Sequence, residues 1–447
     1  MTASAPNAIL SGEHRMKKKL DYKWVIFALG VLTLFSTLGF CSSTRSLYLK
    51  AVTTALEIPR SRYAIGDSLR YITTATLNIF FGVLIKKWGE RRMLACGFLS
   101  LIAFCLLYYF ATSVWYVYAA GICLGAGLAW STTSVVGYFV RRWFTKNQGT
   151  IMGIILASNG VGGAFAAQIV MPIIHDEAAG GFGYRKAYLL TACALLVIGT
   201  IVVCFFKNAP EQEHHEAPVK GKRKGQISWT GISQQEAMKK PVFWVTAVCV
   251  FLTGACLQSI TSVASAHLED VGLDTSFIAT VFSLFTLMLA ATKILAGVSY
   301  DHLGLKTTLL ICDLAAVIAI FLLSRVNATS YFLAATYEVI IAFAMPLETV
   351  VLPLIASDMF GRKDYPKIMG IIVAINTAGY ALGSPIMGTV YDMTGTYRGV
   401  LVFQSALMLI IGITMQLVMR IAEKERTKLI AAESEAAPAE PSPPAES

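Results

Sequence analysis

Three cations stand inside stretches that are otherwise apolar: Arg45, Arg70 and Lys293. An ionised side chain in hydrocarbon is costly unless it faces a watery cavity or finds a partner, so each is a candidate for chemistry. The chemistry open to them is capture of an anion. A guanidinium grips a carboxylate through two parallel hydrogen bonds, whereas an ammonium acts as a point charge. Lys293 shares a helix face with Thr286, Ala290 and Gly297, a small and polar strip suited to lining water. Its other reading is a lysine snorkelling to the surface or paired with a carboxylate. Arg45 follows the polar run Cys41, Ser42, Ser43, Thr44, late enough in its segment to be either a ligand or a headgroup contact; Tyr48, one turn on, shares both readings.

Tyr63, Asp67, Arg70, Tyr71, Thr74 and Asn78 recur at intervals of three and four, which puts them on one side of a helix and predicts a stripe facing a solute pathway. Asp67 and Arg70 are three apart. Either they form a local ion pair, or Arg70 binds solute while Asp67 is its resting partner or a proton site. Among the other buried-segment acids, Glu348 is the candidate coupling group, ahead of Glu338 and Asp313. Asn159 and Asn376 are candidate donors to a solute, or bond a neighbouring helix. Trp130, beside Ser131, Thr132 and Thr133, is a candidate wall, and Tyr71 and Tyr380 complete the substrate-binding set. His267, Glu269 and Asp270 read as solvated loop residues rather than metal ligands. No P-loop, HExxH, GxSxG with partners or paired CxxC is present, so no metal, no cofactor and no enzyme activity is expected.

The elements that must hold these groups follow from composition. Of 447 residues 55% are hydrophobic and 14% charged, too few charges to coat a soluble globule. About twenty apolar residues cross a bilayer, and by that ruler twelve spans emerge, with cores at 24–48, 61–85, 93–110, 114–140, 148–172, 185–206, 242–266, 276–300, 306–326, 331–356, 367–391 and 399–421. The first span is too long for a signal peptide and is expected to be retained. The nine cysteines fall within apolar stretches and read as small packing residues. The +10 charge names no nucleic-acid partner: with both termini in the cytosol, 27 of the 37 Lys and Arg lie on that side, as the positive-inside rule expects.

The chain divides into a cytosolic segment 1–23, a six-helix bundle 24–206, a cytosolic linker 207–241, a second six-helix bundle 242–421 and a disordered cytosolic tail 422–447. The bundles repeat. IMGIILASNGVG from Ile151 recurs as IMGIIVAINTAG from Ile368, with eight of twelve positions identical, and GVLIKKWGERR from Gly82 has a partner in GVSYDHLGLK from Gly297. Span five therefore matches eleven, and two matches eight. Parallel repeats pack about an axis along the membrane normal, with the solute between them near the midplane. Glycines of spans five and eleven are expected to let helices pack closely.

The loop residues Gly82, Gly89, Arg91 and Arg92, and their echo Gly297, Asp301, Gly304 and Lys306, resemble the G-x(3)-D-R-x-G-R-[RK] signature of the major facilitator superfamily. The first copy departs from it, with Lys86 at the acidic position and Glu90 at a basic one. YFVRRWFTKNQGTIMG from Tyr138 and EAMKKPVFWV from Glu236 resemble the oxalate/formate antiporter and monocarboxylate transporter branch. That resemblance implies a span-eight cation, eight residues before the loop aspartate, that binds a substrate carboxylate; Lys293 has that spacing from Asp301. Leu289 stands where proton-coupled members carry an aspartate, and Asn376 where oxalate/formate exchangers carry a second cation.

The expectation is an all-α, polytopic membrane protein of the plasma membrane. It is a monomer that moves a small organic anion, such as lactate or formate, by exchange or proton symport. Carriage of a neutral, cationic or larger amphipathic solute, and a receptor that does not transport, are the alternatives.

Overall fold

The structure, a computed structural model, describes residues 7–144, 148–176, 180–207, 231–361 and 363–436, and among these no strand occurs. In a bilayer every backbone polar group must be satisfied within the protein, and helices do this segment by segment. Twelve membrane helices result: α1 (Tyr22–Ala55), α2 (60–88), α3 (90–109), α4 (Val114–Val140), α5 (Ile151–Ile174), α6 (Gly183–Phe205), α7 (Pro241–Asp270), α8 (275–303), α9 (305–325), α10 (Tyr331–Phe360), α11 (Lys367–Thr394) and α12 (Arg398–Thr427). Helices α2 and α3 are limbs of one run, Arg60–Tyr109, parted at Gly89 with φ 77°. Helices α8 and α9 are limbs of Thr275–Arg325, parted at Gly304 with φ 79°. A side chain with a Cβ is strained at these angles, which gives the two loop-motif glycines one conformational role in both repeats.

Helices α1–α6 and α7–α12 form two bundles that meet along α2 against α11 and α5 against α8. The two seams are equivalent under the repeat. At the α5–α8 crossing a Cβ on Gly160 would lie 2.3 Å from the Thr286 carbonyl oxygen. The close-packing expectation holds for Gly160, Gly162, Gly163, Gly379 and Gly383; the equivalent Gly153 and Gly370 instead face open space.

Three helices depart from regular α geometry. The chain of α1 passes through a π turn (Thr37–Ser42) and a 3-10 turn (Ser43–Tyr48). Helix α4 breaks at Thr132, with φ −117° and ψ −143°, and α10 carries a π turn over Leu347–Val351 after Pro346. The breaks in α4 and α10 fall at matching repeat positions. Irregular backbone at such depth is tolerated where it is buried in protein or lines a cavity.

Several expectations change. The 422–447 segment is helical as far as Ala436, as one helix with α12. Cys193 and Cys204 are exposed on the bundle's outer face rather than buried. Trp88 packs on Trp130, centroids 6.2 Å apart. Residues 1–6, 208–230 of the linker and 437–447 of the tail lie outside the described residues, and Gly82 and Lys86 outside those whose surroundings are described.

Candidate functional site

Arg45 sits in the 3-10 turn of α1, 5% exposed, and its Nε pairs with the Asp67 carboxylate of α2. It is an interior residue rather than a headgroup contact. Its guanidinium faces the rings of Tyr63 and Tyr108 at 5.1 and 5.8 Å, while Nη1 and Nη2 are buried without a hydrogen-bond partner among the described residues. Asp67 also faces Arg70, Nε to Oδ1 3.6 Å, so the local pair is real but secondary. Arg70 donates from Nη1 to the Ser42 hydroxyl at 3.1 Å and lies 4.2 Å from the Tyr71 ring centroid. Two guanidinium groups share one carboxylate, which leaves one formal positive charge uncompensated within this trio. Tyr63, read as pathway-facing, is instead buried in an aromatic column with Tyr108 and Tyr188.

Tyr71 carries this charge to the second bundle. Its ring lies 5.3 Å from that of Tyr380 on α11, and Tyr380 in turn lies within electrostatic reach of Glu348 in the π turn of α10. Glu348 Oε1 is buried with no hydrogen-bond partner among the described residues. Glu348 is also the acid that acts electrostatically on Lys293 of α8, which is half-buried and makes no ion pair within 4.0 Å among the described residues. Seven predicted residues thus fall in one chain across the mid-seam: Arg45, Asp67, Arg70, Tyr71, Tyr380, Glu348, Lys293.

The others are placed elsewhere. Asn159 accepts a hydrogen bond from Ser43 at 3.0 Å, joining α5 to α1. Asn376 is 4% exposed and donates to the Val250 carbonyl at 3.2 Å, so it serves the packing of α11 on α7. Trp130 lies with Trp88 near the Gly89 bend. In the loop motif Arg91 donates to the Val203 carbonyl at 2.7 Å, and buried Glu90 pairs with Arg142 at 3.0 Å.

One constellation went unread in the sequence. Arg60, at the start of α2, holds Asp270 of α7 through Nη1 at 2.6 Å and Nη2 at 2.8 Å, and stacks 3.7 Å over Tyr391. Asp392 of α11 accepts from the backbone N–H groups of Arg60 and Ser61 at 2.9 and 3.0 Å, so the first turn of α2 is capped from the other bundle. Lys50 lies 3.4 Å from Asp270, and His175 3.7 Å from Glu269. His267 and Glu269 are 2% and 7% exposed, so this is a buried junction and not a solvated loop. The readable signal was sign: the first bundle's loops offer Lys50, Arg60 and Arg62, and the second's offer Glu269, Asp270 and Asp392. All these contacts lie at the end opposite the termini. At the termini end, Arg142 pairs with Glu90 in the first half and Lys240 with Glu425 in the second.

Comparison with known proteins supplies the family. Residues 29–268 and 247–445 match the profile of the Major Facilitator Superfamily. The chain is 24% identical to monocarboxylate transporter 13 of Rattus norvegicus over 73% of this chain and 72% of that protein. It is 21% identical to the membrane sensor protein UhpC of Escherichia coli strain K12, over 61% of this chain and 64% of that one. The crystal structure of nucleoside transporter NupG superposes with a TM-score of 0.68 at 13% identity, covering 89% of this chain and 99% of that one, which shows the fold.

Proposed function

The chain belongs to the Major Facilitator Superfamily and is a membrane transporter that works by alternating access; from that premise we propose that its solute is a small organic anion, a monocarboxylate such as lactate or formate. The observation that carries this is the mid-seam chain of charges. The first bundle presents a surplus guanidinium through Arg70, and the second presents Lys293, held by no ion pair among the described residues. A carboxylate between them exchanges lost hydration for charge-assisted hydrogen bonds, with Tyr71 and Tyr380 as flanking walls. The monocarboxylate transporter among its relatives supports the same class.

Binding has a consequence for Glu348. Solute and Glu348 act on the same ammonium, so a carboxylate bound to Lys293 offsets the positive charge that Glu348 feels. If Glu348 takes up a proton at that moment, anion and proton cross together; if it stays ionised, the halves return only with another anion bound, which is exchange. The positive-inside count supports cytosolic termini in a plasma membrane, so the bonded junction of Arg60, Asp270 and Asp392 closes the outer end. We take the working unit to be a monomer.

Counterflow of labelled lactate and formate in proteoliposomes, at two pH values, tests this. Lys293→Ala is expected to lower flux by tenfold or more, the scale of a charged hydrogen bond at about 1.5–3 kcal/mol. Unchanged flux of a transported anion in that variant refutes the ligand role. The likeness to UhpC favours one other reading, a sensor. A sensor binds the anion in these vesicles without net movement.

A further inference from the structure

Asp313 lies midway along α9 in the second bundle, 4% exposed, and its Oδ2 has no hydrogen-bond partner among the described residues. It makes no ion pair among the described residues, and the cluster around Lys293 does not include it. The carboxyl stands between two spaces. One is an internal cavity of about 20 Å3 bordered by Cys249, Thr253, Leu347 and Asn376, the volume of a single water. The other is a groove of about 260 Å3 between α9 and α12 that runs past Gly412 and Gln416 to Arg420. Leu347 opens the π turn of α10, so the inner cavity touches the segment that carries Glu348.

We propose that Asp313 is a reversible proton-binding site, loaded through the α9–α12 groove and joined by the inner cavity to the π turn of α10. An ionised carboxylate among apolar side chains, with no cation in contact, is disfavoured against its acid form. A metal ion needs several oxygen ligands, and beside the carboxyl the cavity offers only the Thr253 hydroxyl and the Asn376 amide, whose nitrogen is committed to Val250. A proton needs one. The step is a transfer from water at the Arg420 end of the groove, whose walls farther in are the outward-facing Leu310, Leu314, Leu409 and Ile413, to a carboxylate oxygen, giving a neutral acid and leaving hydroxide to the solvent.

The titratable and charged groups around it are few. Helix α7 contributes the Cys249 thiol, α9 itself Cys312, and α12 Arg420 at the far end of the groove. Helix α10 contributes Leu347, Leu352 and Ile355, with Glu348 turned to Tyr380 and Lys293, and α11 contributes the uncharged Asn376. None of these is a cation paired with Asp313, so changes in protonation fall on its carboxyl.

Infrared difference spectroscopy of the purified full-length protein, wild type minus Asp313→Asn, reads this directly. The expected difference is a protonated carboxylic carbonyl band in mildly acidic buffer that is lost reversibly in alkaline buffer. A carboxylate signature at every pH, or an acid band that never responds to pH, overturns the proposal. Should Asp313→Asn fail to fold, Asp313→Glu serves: the band then shifts, and an unshifted band overturns the assignment to this residue. The reading of the solute site is tested apart. Lys293→Ala that loses lactate flux yet keeps the Asp313 band supports both assignments, and a lost band with retained flux overturns the one made here.

Discussion

Asp67 holds two buried guanidinium groups in place, and its removal exposes what each was costing. Breaking a buried pair by deleting one partner typically destabilises by about 3–5 kcal/mol, because an uncompensated charge stays behind. Here Arg45 is the more vulnerable partner, since its Nη1 and Nη2 already lack acceptors among the described residues and it is only 5% exposed. Asp67→Asn is therefore expected to lower the melting temperature of the detergent-purified protein by several degrees and to reduce yield, while Asp67→Glu recovers part of both. A melting temperature equal to wild type would place the pair outside the stability of the first bundle. The sequence showed Arg70 three residues from Asp67 and suggested the local pair. It did not show that Arg45 is the carboxylate's other partner, because the 3-10 turn that aims Arg45 inward departs from the regular helix on which spacing arguments depend.

At the scale of elements, the first turn of α2 has its cap in the other bundle. Arg60→Ala removes the bidentate grip on Asp270 and the stack on Tyr391, and leaves the Asp392 cap on the backbone. The junction should loosen. With native cysteines replaced and Ser265→Cys introduced, where Ser265 meets Ser46 of the first bundle at 3.3 Å, alkylation by a water-soluble maleimide is expected to be several-fold faster in Arg60→Ala than in the parent. Equal rates would mean that α2 and α11 stay closed without the arginine.

The linker's docking helix, Gln234–Lys239, shows a pH effect of known sign. Its capping box pairs Ser233 with Glu236, and Asp364 accepts from the Gln234 backbone N–H at 3.0 Å. That bond first, and Lys367 second, hold the Asp364 carboxyl below the ordinary carboxylate range. A depressed value means that the stabilisation is complete above about pH 4 and is lost as pH falls through the folded-state value. Hydrogen-exchange protection at 231–240, taken relative to the intrinsic amide rate at each pH, should be constant from neutral pH down to about 4 and lower below it; Asp364→Asn should be less protected already at neutral pH.

For the whole molecule, alternating access needs two bundles that are bonded at one end and can part, and at the α5–α8 seam Gly160 sets their close approach. Gly160→Val forces a side chain against the Thr286 carbonyl, which the helices can relieve only by separating. Counterflow is expected to fall about tenfold, the effect of about 1.4 kcal/mol on the closed state. Gly153→Ala, whose Cβ meets open space, should behave as wild type. If both variants transport normally, the seam does not limit the cycle.

Much of this was legible in one dimension because hydrocarbon imposes rules that are local in sequence. Span length, the scarcity of charge and the Ile151/Ile368 repeat each report the twelve helices and the two bundles without any long-range contact. The same rule singled out Arg45, Arg70, Lys293, Asp67 and Glu348, since a charge in an apolar run must have a use or a partner wherever the run folds. Partners, however, depend on which helices become neighbours. That Asn376 spends its amide on α7, that Tyr71 meets Tyr380, that Arg60 finds Asp270 and Asp392 more than two hundred residues away, and that Asp313 finds no cation are set by how the bundles pack. Packing is decided by side-chain fit across the seams and by irregular turns in α1, α4 and α10, and neither leaves a periodic trace in the chain.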